Sequence, residues 1–464
     1  MTAQTILPAN SVRGGDIVTN SCRFNRADSA DMTLSMSSGG SQTKFTKSFW
    51  VKRCKVGEQH YIYDNSSTTQ IFFHFKDDDK IGFGIFNSGA YSTELISTQV
   101  FRDVSAWYHF VIAVDYTNGT QALRARIYVN GTEITAFDTE TRPNNTSTTF
   151  DTFNSDKTHY IGSNASTNHY LHGYLAEVVH IDNAQLAPTS FGEFDSDSPT
   201  IWKPIDVSDL TFGTKGYHLD FKASGNLGND ANGGTDWTEN NIVAGDQSTD
   251  TCQNNFCTLS PLYNVDGSYT LSEGNTQFLG TGGNDHTLGT LGVQGSGKWY
   301  FEAEFDTNSA ACYAGFADSD LANNLATDAA GVTVFIGMYR DDHTMQIGGG
   351  NEGAYTDVSD GDIFGFAMNL DANSGSRTVI VQKNGSTIDT VTIPTANEDN
   401  IFLPIVGDTS GTDGVLKCNF GGTPNPTPSS AVSDAKGHGS FEYNPTIGGV
   451  AYLALCTKNL AESG

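Results

Sequence analysis

The sequence predicts an all-β chain folded as two β-sandwich (jelly-roll) domains, and three observations carry that reading. The first is a repeated cassette: an apolar run leads through a polar turn to an alternating strand that ends in Asn-Gly. One copy joins 106–115 (AWYHFVIAVD) to 125–131 (ARIYVNG), and the other joins 362–371 (DIFGFAMNLD) to 378–385 (TVIVQKNG). Asn-Gly between β-formers is the strongest short-range hairpin signal, because both residues accept the positive φ of a type I′ turn. The second is composition. With 50 Gly, 12 Pro and 11% aromatic residues, the chain suits short strands joined by tight turns. The third is the lack of any capped, period-3.6 apolar pattern of useful length. A chain of 464 residues has room for two or three domains, each with its own core.

Read in order, residues 1–20 form a polar arm with isolated apolar anchors at Ile6, Leu7 and Val18, suited to docking. Strand candidates then crowd residues 21–212: 45–51, 61–63, 71–75, 81–86, the run beginning at Trp107, 124–129 and 173–181. Phe110, Ile112 and Val114 face one way, while Trp107, His109, Val111 and Ala113 face the other, as in a strand buried on both sides. Arg124, Arg126 and Tyr128 alternate with Ala125, Ile127 and Val129, which predicts one wet face. A polar stretch at 213–261 carries Trp237 and Phe256 and reads as an ordered connector. The second sandwich spans 262–424. In its strand 298–305, Trp299, Phe301, Ala303 and Phe305 point inward, and Glu302 and Glu304 point to solvent. Residues 425–464 are expected to pack back on this second sandwich.

Charge excludes some functions. Lys+Arg 25 against Asp+Glu 53 gives −28, spread along the chain. Such a field repels nucleic acid and anionic lipid, both of which need a basic footprint. It suits a soluble surface in a salty medium, where screening blunts self-repulsion. No apolar run approaches the roughly 20 residues that span a bilayer, so no membrane insertion is expected. The first residues lack a signal-peptide pattern, so secretory export is not expected either. The seven cysteines show no zinc-ribbon or CxxC spacing and read as buried thiols.

The first block resembles a laminin G-like (concanavalin A-like) jelly roll in 48–52 (SFWVK), 107–115, 127–131 (IYVNG) and 173–178 (GYLAEV). The second resembles a SPRY domain in 297–302 (GKWYFE), 314–316 (AGF), 361–365 (GDIFG), 383–385 (KNG) and 417–421 (KCNFG). This domain order is similar to that of structural proteins of bacteriophages, especially marine ones. So are the phrases 236–241 (DWTENN), 255–262 (NFCTLSPL) and 453–460 (LALCTKNL). The resemblance covers nearly the whole chain. It implies a non-enzymatic virion protein, either a tail fibre or appendage or a capsid decoration. The implied partners are other virion proteins, further copies of the chain (a trimer for an appendage) and a host surface glycan.

The residues themselves offer little catalytic chemistry. Glucanases on a jelly roll align three carboxylates as Glu-x-Asp-x-x-Glu. Here Glu193-Phe194-Asp195 and Glu304-Phe305-Asp306 are followed by Ser198 and Ser309 where the last Glu belongs. Aromatic loop residues are the ligand-binding candidates: Tyr91, the neighbouring His169 and Tyr170, and Tyr355. No metal site is expected from ligand spacing. Ca²⁺ is the cofactor that the clusters at Asp77, Asp78 and Asp79 and at Asp341 and Asp342 would take. Two alternatives remain open: a bacterial carbohydrate-active enzyme or carbohydrate-binding module, and a cement protein without ligand.

Overall fold

The computed structural model describes residues 17–65, 69–87, 89–144, 146, 148–150, 153, 157–263, 269–281, 285–307, 311–318, 335–340, 344–347, 350–354, 358–409 and 413–462. At 339, 344–347 and 350–354 it describes the backbone alone. The chain divides into two compact units, Val12–Gln253 and Asn254–Gly464. Among the described residues, no helix is long and apolar enough to cross a membrane.

In the first unit the strands are β1 (Ser21–Phe24), β2 (Asp31–Met36), β3 (Lys44–Arg53), β4 (His60–Asn65), β5 (Thr69–Phe75) and β6 (Lys80–Asn87). They continue with β7 (Ala90–Val100), β8 (Trp107–Asp115), β9 (Ala125–Val129), β10 (Thr132–Glu133), β11 (Phe137–Thr141) and β12 (Lys157–Ile161). The last are β13 (Gly173–Asp182), β14 (Gly192–Phe194), β15 (Trp202–Pro204), β16 (Tyr217–Leu219), β17 (Thr238–Asn240) and β18 (Gln247–Ser248). One sheet runs β10-β9-β8-β3-β13-β1-β18, with β16 also on β13, and the other runs β11-β7-β6-β5-β4-β12-β2-β17. Neighbours pair antiparallel, as along β3 and β8 from Lys44↔Asp115 to Lys52↔Trp107.

Alternation places the core where the sequence puts it. Phe45, Phe49, Phe110, Ile112 and Val114 meet Ile71, Phe73, Phe75, Ile81, Phe83 and Ile85 between the two sheets. On the outer face of the first sheet, Trp107 packs with Trp50, Tyr174 and Trp202, while Val111 and Ala113 pack with Phe191, Val207 and Phe212. That cover also closes over part of β9, whose second face stays wet only at Arg126, half-buried beside Glu133 at 2.7 Å. Tyr128 is buried in the same layer, and Arg124 donates to the carbonyls of Asn118 and Pro143.

Three strands of the expected connector, β16, β17 and β18, extend the two sheets of this unit. Tyr217, Leu227 and Trp237 enter its core. The division between units falls after Gln253, within the expected connector 213–261. Residues 1–16 of the expected arm lie outside the described residues. Ile17 and Val18 donate their backbone N–H groups to Gln253 Oε1 at 2.8 and 2.7 Å. Both Asn-Gly pairs form the predicted turns, with φ of 46° and 78° at Asn130 and Gly131 and of 48° and 77° at Asn384 and Gly385.

β3 also turns two cations inward. Arg53 is fully buried, with Asp79 at 3.1 Å and the Phe75 ring at 4.4 Å. Lys47 lies over the Tyr63 ring at 3.5 Å and donates to Tyr217 Oη at 3.0 Å. Burial pushes its ammonium well below the usual lysine range. Between that lowered value and the ordinary one, the unfolded chain binds more protons than the folded chain. Stability should therefore rise with pH across the window. Lys47→Met is expected to flatten that slope and to raise neutral-pH stability by about 1 kcal/mol or more. Urea unfolding at a series of pH values checks both.

The second unit contains β19 (Tyr269–Ser272), β20 (Gln277–Gly280), β21 (Asp285–Leu288), β22 (Lys298–Phe305), β23 (Cys312–Asp318), β24 (Phe335–Tyr339) and β25 (Thr344–Ile347). It adds β26 (Gly350–Ala354), β27 (Asp362–Asn369), β28 (Thr378–Lys383), β29 (Ser386–Thr392), β30 (Phe402–Asp408) and β31 (Val415–Asn419). Its sheets run β19-β20-β31-β22-β27-β28-β29 and β21-β30-β23-β24-β25-β26. Trp299, Phe301, Ala303 and Phe305 point into the core, as expected.

Glu302 and Glu304 are not solvated, however. Residues 441–456 bring Phe441, Tyr452 and Ala454 over the outer face, against Tyr300 and Ala367. Glu302, 2% exposed, accepts from the N–H groups of Glu442 and Tyr443 at 3.0 and 2.8 Å. It also accepts from Asn419 Nδ2 at 3.0 Å and Tyr300 Oη at 3.1 Å. Asp434 anchors the same segment, taking Ala454 N at 2.9 Å and Asn459 Nδ2 at 2.7 Å. All seven cysteines are buried as thiols.

Candidate functional site

Period-two alternation gives the second sheet of the first unit a second aromatic face. On β5, Ile71, Phe73 and Phe75 point to the core, so Gln70, Phe72 and His74 point outward. On β6, Ile81, Phe83 and Ile85 point inward, and the outward positions are Gly82, Gly84 and Phe86. The two glycines let rings from β5 lie flat across β6. A Cβ on Gly84 would stand 2.3 Å from Phe72 Cζ, and one on Gly82 would stand 2.2 Å from His74 Nε2. Bulk at either position would lift the ring off the sheet.

Rings from four strands and one loop then form a continuous ridge. His169 lies 6.1 Å from Tyr61, Tyr61 lies 6.1 Å from Phe72, Phe72 lies 6.2 Å from Tyr91, and Tyr91 lies 5.2 Å from Phe86. Tyr61 also meets His74 edge-on at 4.8 Å. Gln59 Nε2 donates to His74 Nδ1 at 2.8 Å, so the ring proton sits on Nε2. Burial pushes the His74 imidazole down to about 3, and it stays neutral. Phe72 and His74 are the buried floor, Tyr61 is half-buried, and Tyr91 at 41% and His169 remain open to a ligand.

The loop at 164–170 is fixed against this ridge. Asn164 Oδ1 accepts from the N–H groups of Ser166 and Asn168, and the Tyr61 N–H donates to the His169 carbonyl at 3.0 Å. Asp64, buried in β4, accepts from Ala165 N at 2.8 Å and from Gln70 Nε2 at 2.8 and 3.0 Å. Burial raises its carboxyl to about 6, against those hydrogen bonds. The structure thus brings predicted residues Tyr91 and His169 onto one surface. Tyr170 lies half-buried in the same loop, and Tyr355 lies outside the described residues.

Sequence reasoning missed Tyr61, Phe72, His74 and Phe86 as site residues. Their signal was present in the alternation of β5 and in the Gly-x-Gly pattern of β6.

The calcium candidates require correction. Asp78 faces Lys80 at 3.0 Å, and Asp79 is held by Arg53 at 3.1 Å and Arg102 at 2.8 Å, so the protein's own cations occupy these carboxylates. Asp77 is exposed and joins no ligand set. Asp341 and Asp342 lie outside the described residues. Among the described residues, no three His, Cys, Asp or Glu side chains are grouped to hold a metal.

The other suggestive groups are each held by neighbouring side chains. Glu193 and Asp195 share Lys203, each at 3.3 Å, and Asp195 also caps the turn at Asp197 and Ser198. Glu304 and Asp306 share Lys417 at 3.1 and 3.0 Å. Ser48 and His109 form a buried pair at 2.8 Å, but Trp202 Nε1 donates to His109 Nδ1 at 2.8 Å. An indole nitrogen is donor only, so the histidine's proton is on Nε2 and faces the serine. Burial holds this histidine down at about 3. It cannot take a proton from Ser48 in this arrangement.

Residues 26–187 match the concanavalin A-like lectin/glucanases superfamily. The first unit has the concanavalin A-like fold. A comparison with curated proteins gives no match. Among solved structures, the chain is similar to mouse laminin alpha1 chain domains LG4-5, at 12% identity, over 90% of this chain and 92% of that one, with a TM-score of 0.31. It is similar to the SPRY domain of human HERC1, at 16% identity, over 34% and 96%, with a TM-score of 0.28. It is also similar to a putative carbohydrate binding protein from Bacteroides ovatus, at 16% identity, over 48% and 58%, with a TM-score of 0.31. On the concanavalin A-like unit, the ridge lies on the solvent side of the sheet that contains β4 to β7.

Proposed function

We infer that this chain is a non-enzymatic adhesion protein that holds a surface glycan on the ridge Tyr61–Phe72–Tyr91 with His169 at its end. The observation that carries this reading is the row of rings at 5.2–6.2 Å spacing on an open sheet face. A ring face offers apolar area to the C–H side of a sugar, while tyrosine hydroxyls and an imidazole at the rim meet its hydroxyl groups. The carboxylates that could cleave a glycosidic bond are tied to lysines instead.

The setting proposed is a phage virion, as a tail fibre, appendage or capsid decoration. The order of domain phrases in the sequence supports it. The net charge of −28 fits a protein whose partners are not nucleic acid or anionic membrane. Assembly would use sheet ends such as β29, a terminal strand with largely exposed side chains, against further virion subunits. A homotrimer is the proposed state for an appendage.

A glycan array probed with the full chain tests the ligand. Tyr91→Ala and Tyr61→Ala are each expected to weaken the array hits by about 2- to 12-fold while the chain stays folded. Hits unchanged in both variants would overturn the ridge. Imaging of the particle that carries the chain tests the setting.

A further inference from the structure

We propose a second saccharide site on the first unit: an open groove of about 670 Å³ between the loops at 39–41, 182–186 and 209–214, for a neutral mono- or disaccharide. Its volume falls within the range of small-ligand sites. The walls are preformed. Asp182 accepts Ser41 N at 2.8 Å on one oxygen and Lys215 N at 3.3 Å on the other, tying two of the loops together. Its own N–H donates to the Phe212 carbonyl at 2.8 Å, and Gly40 N donates to the Phe153 carbonyl at 2.8 Å. Gly213, at φ 79°, lets the third loop approach closely: a Cβ there would stand 2.5 Å from the Asp182 carbonyl oxygen.

The lining has two characters. Ala184, Leu186 and Leu210 give an apolar wall, and Asp209 and Thr211 stand among the polar lining residues. A pyranose has the same division, with C–H groups on its faces and hydroxyl donors around its edge. Asp209 is a carboxylate suited to accept two of those hydroxyls in charge-assisted bonds. The Lys215 side chain runs behind Gly39 and Gly40 and spends its ammonium on Ser37 Oγ at 3.1 Å, so the charged groups that line the groove are Asp182 and Asp209, and an acidic sugar would meet both. The ligand is therefore a neutral sugar. This site stands apart from the ridge and does not depend on it.

Saturation-transfer NMR on the full chain tests the proposal, with lactose, cellobiose, maltose and sialyllactose at about 10 mM, a level that detects millimolar binding. At least one neutral disaccharide should give signal. Asp209→Ala and Thr211→Trp, both at exposed positions, should weaken it by at least about tenfold, while Tyr91→Ala leaves it intact. The groove is overturned if no neutral disaccharide binds, if both groove variants bind as the parent does, or if sialyllactose binds best. Signal lost in Tyr91→Ala alone also overturns the groove and leaves the ridge standing.

Discussion

Asp79→Asn is expected to destabilise the first sandwich by about 3–5 kcal/mol. Asp79 is 4% exposed and holds two guanidiniums, Arg53 at 3.1 Å and Arg102 at 2.8 Å, and accepts Gly57 N at 2.7 Å. Asparagine keeps the shape, and it tolerates the φ of 66° at this position. What it loses is the charge, which leaves Arg53 buried at 0% exposure against the Phe75 ring and the Phe101 carbonyl. Burial alone would raise the Asp79 carboxyl, but the Gly57 N–H and the two arginines hold it below the usual range. A depressed folded-state value means stability present above the unfolded value and lost as acid protonates the group. The gap between parent and variant should therefore close in acid. Denaturant titrations followed by tryptophan fluorescence at neutral and acid pH would show it, and an equal gap at both would contradict the charge argument.

In the second sandwich, Glu302→Gln should cost about 3 kcal/mol and loosen the C-terminal cover. All four partners of Glu302 are donors: two backbone N–H groups, the Asn419 amide and the Tyr300 hydroxyl. A glutamine is nearly isosteric, but its NH₂ presents hydrogens where an acceptor is needed. Each buried donor left unmet costs about 1–3 kcal/mol. Limited proteolysis should cut around residues 425–445 sooner in the variant. Unchanged protection there would show that Asp434 and the apolar layer hold the segment without Glu302.

These two residues also mark where the sequence was legible and where it was not. Alternation on the Trp107 and Trp299 strands fixed which side faces the core, because each apolar position had a clear period-two partner. The Asn-Gly turns were equally local, and both formed. Burial of Glu302 was not local. It depends on residues 441–443, well over a hundred positions along the chain, folding across that strand. Likewise Lys47 and Arg53 occupy inward positions of a strand that reads as amphipathic, and no neighbour in sequence announces Asp79 as the partner of one of them. The ridge was half legible. Tyr91 and His169 stood out as aromatic residues in polar loops, but joining them required knowing that β7, β6, β5 and β4 lie side by side. The acidic runs misled for a related reason, since a list of carboxylates says nothing about the arginines and lysine that fold onto them.

The buried thiols make the molecule its own gauge of opening. Cys22, Cys54 and Cys252 belong to the first unit, and Cys257, Cys312, Cys418 and Cys456 to the second. Burial pushes Cys54 and Cys456 up to about 12, so each reacts only in the moments when its surroundings part. Alkylation kinetics resolved by peptide mass would thus time the breathing of each sandwich separately, within one intact chain and without an added label site.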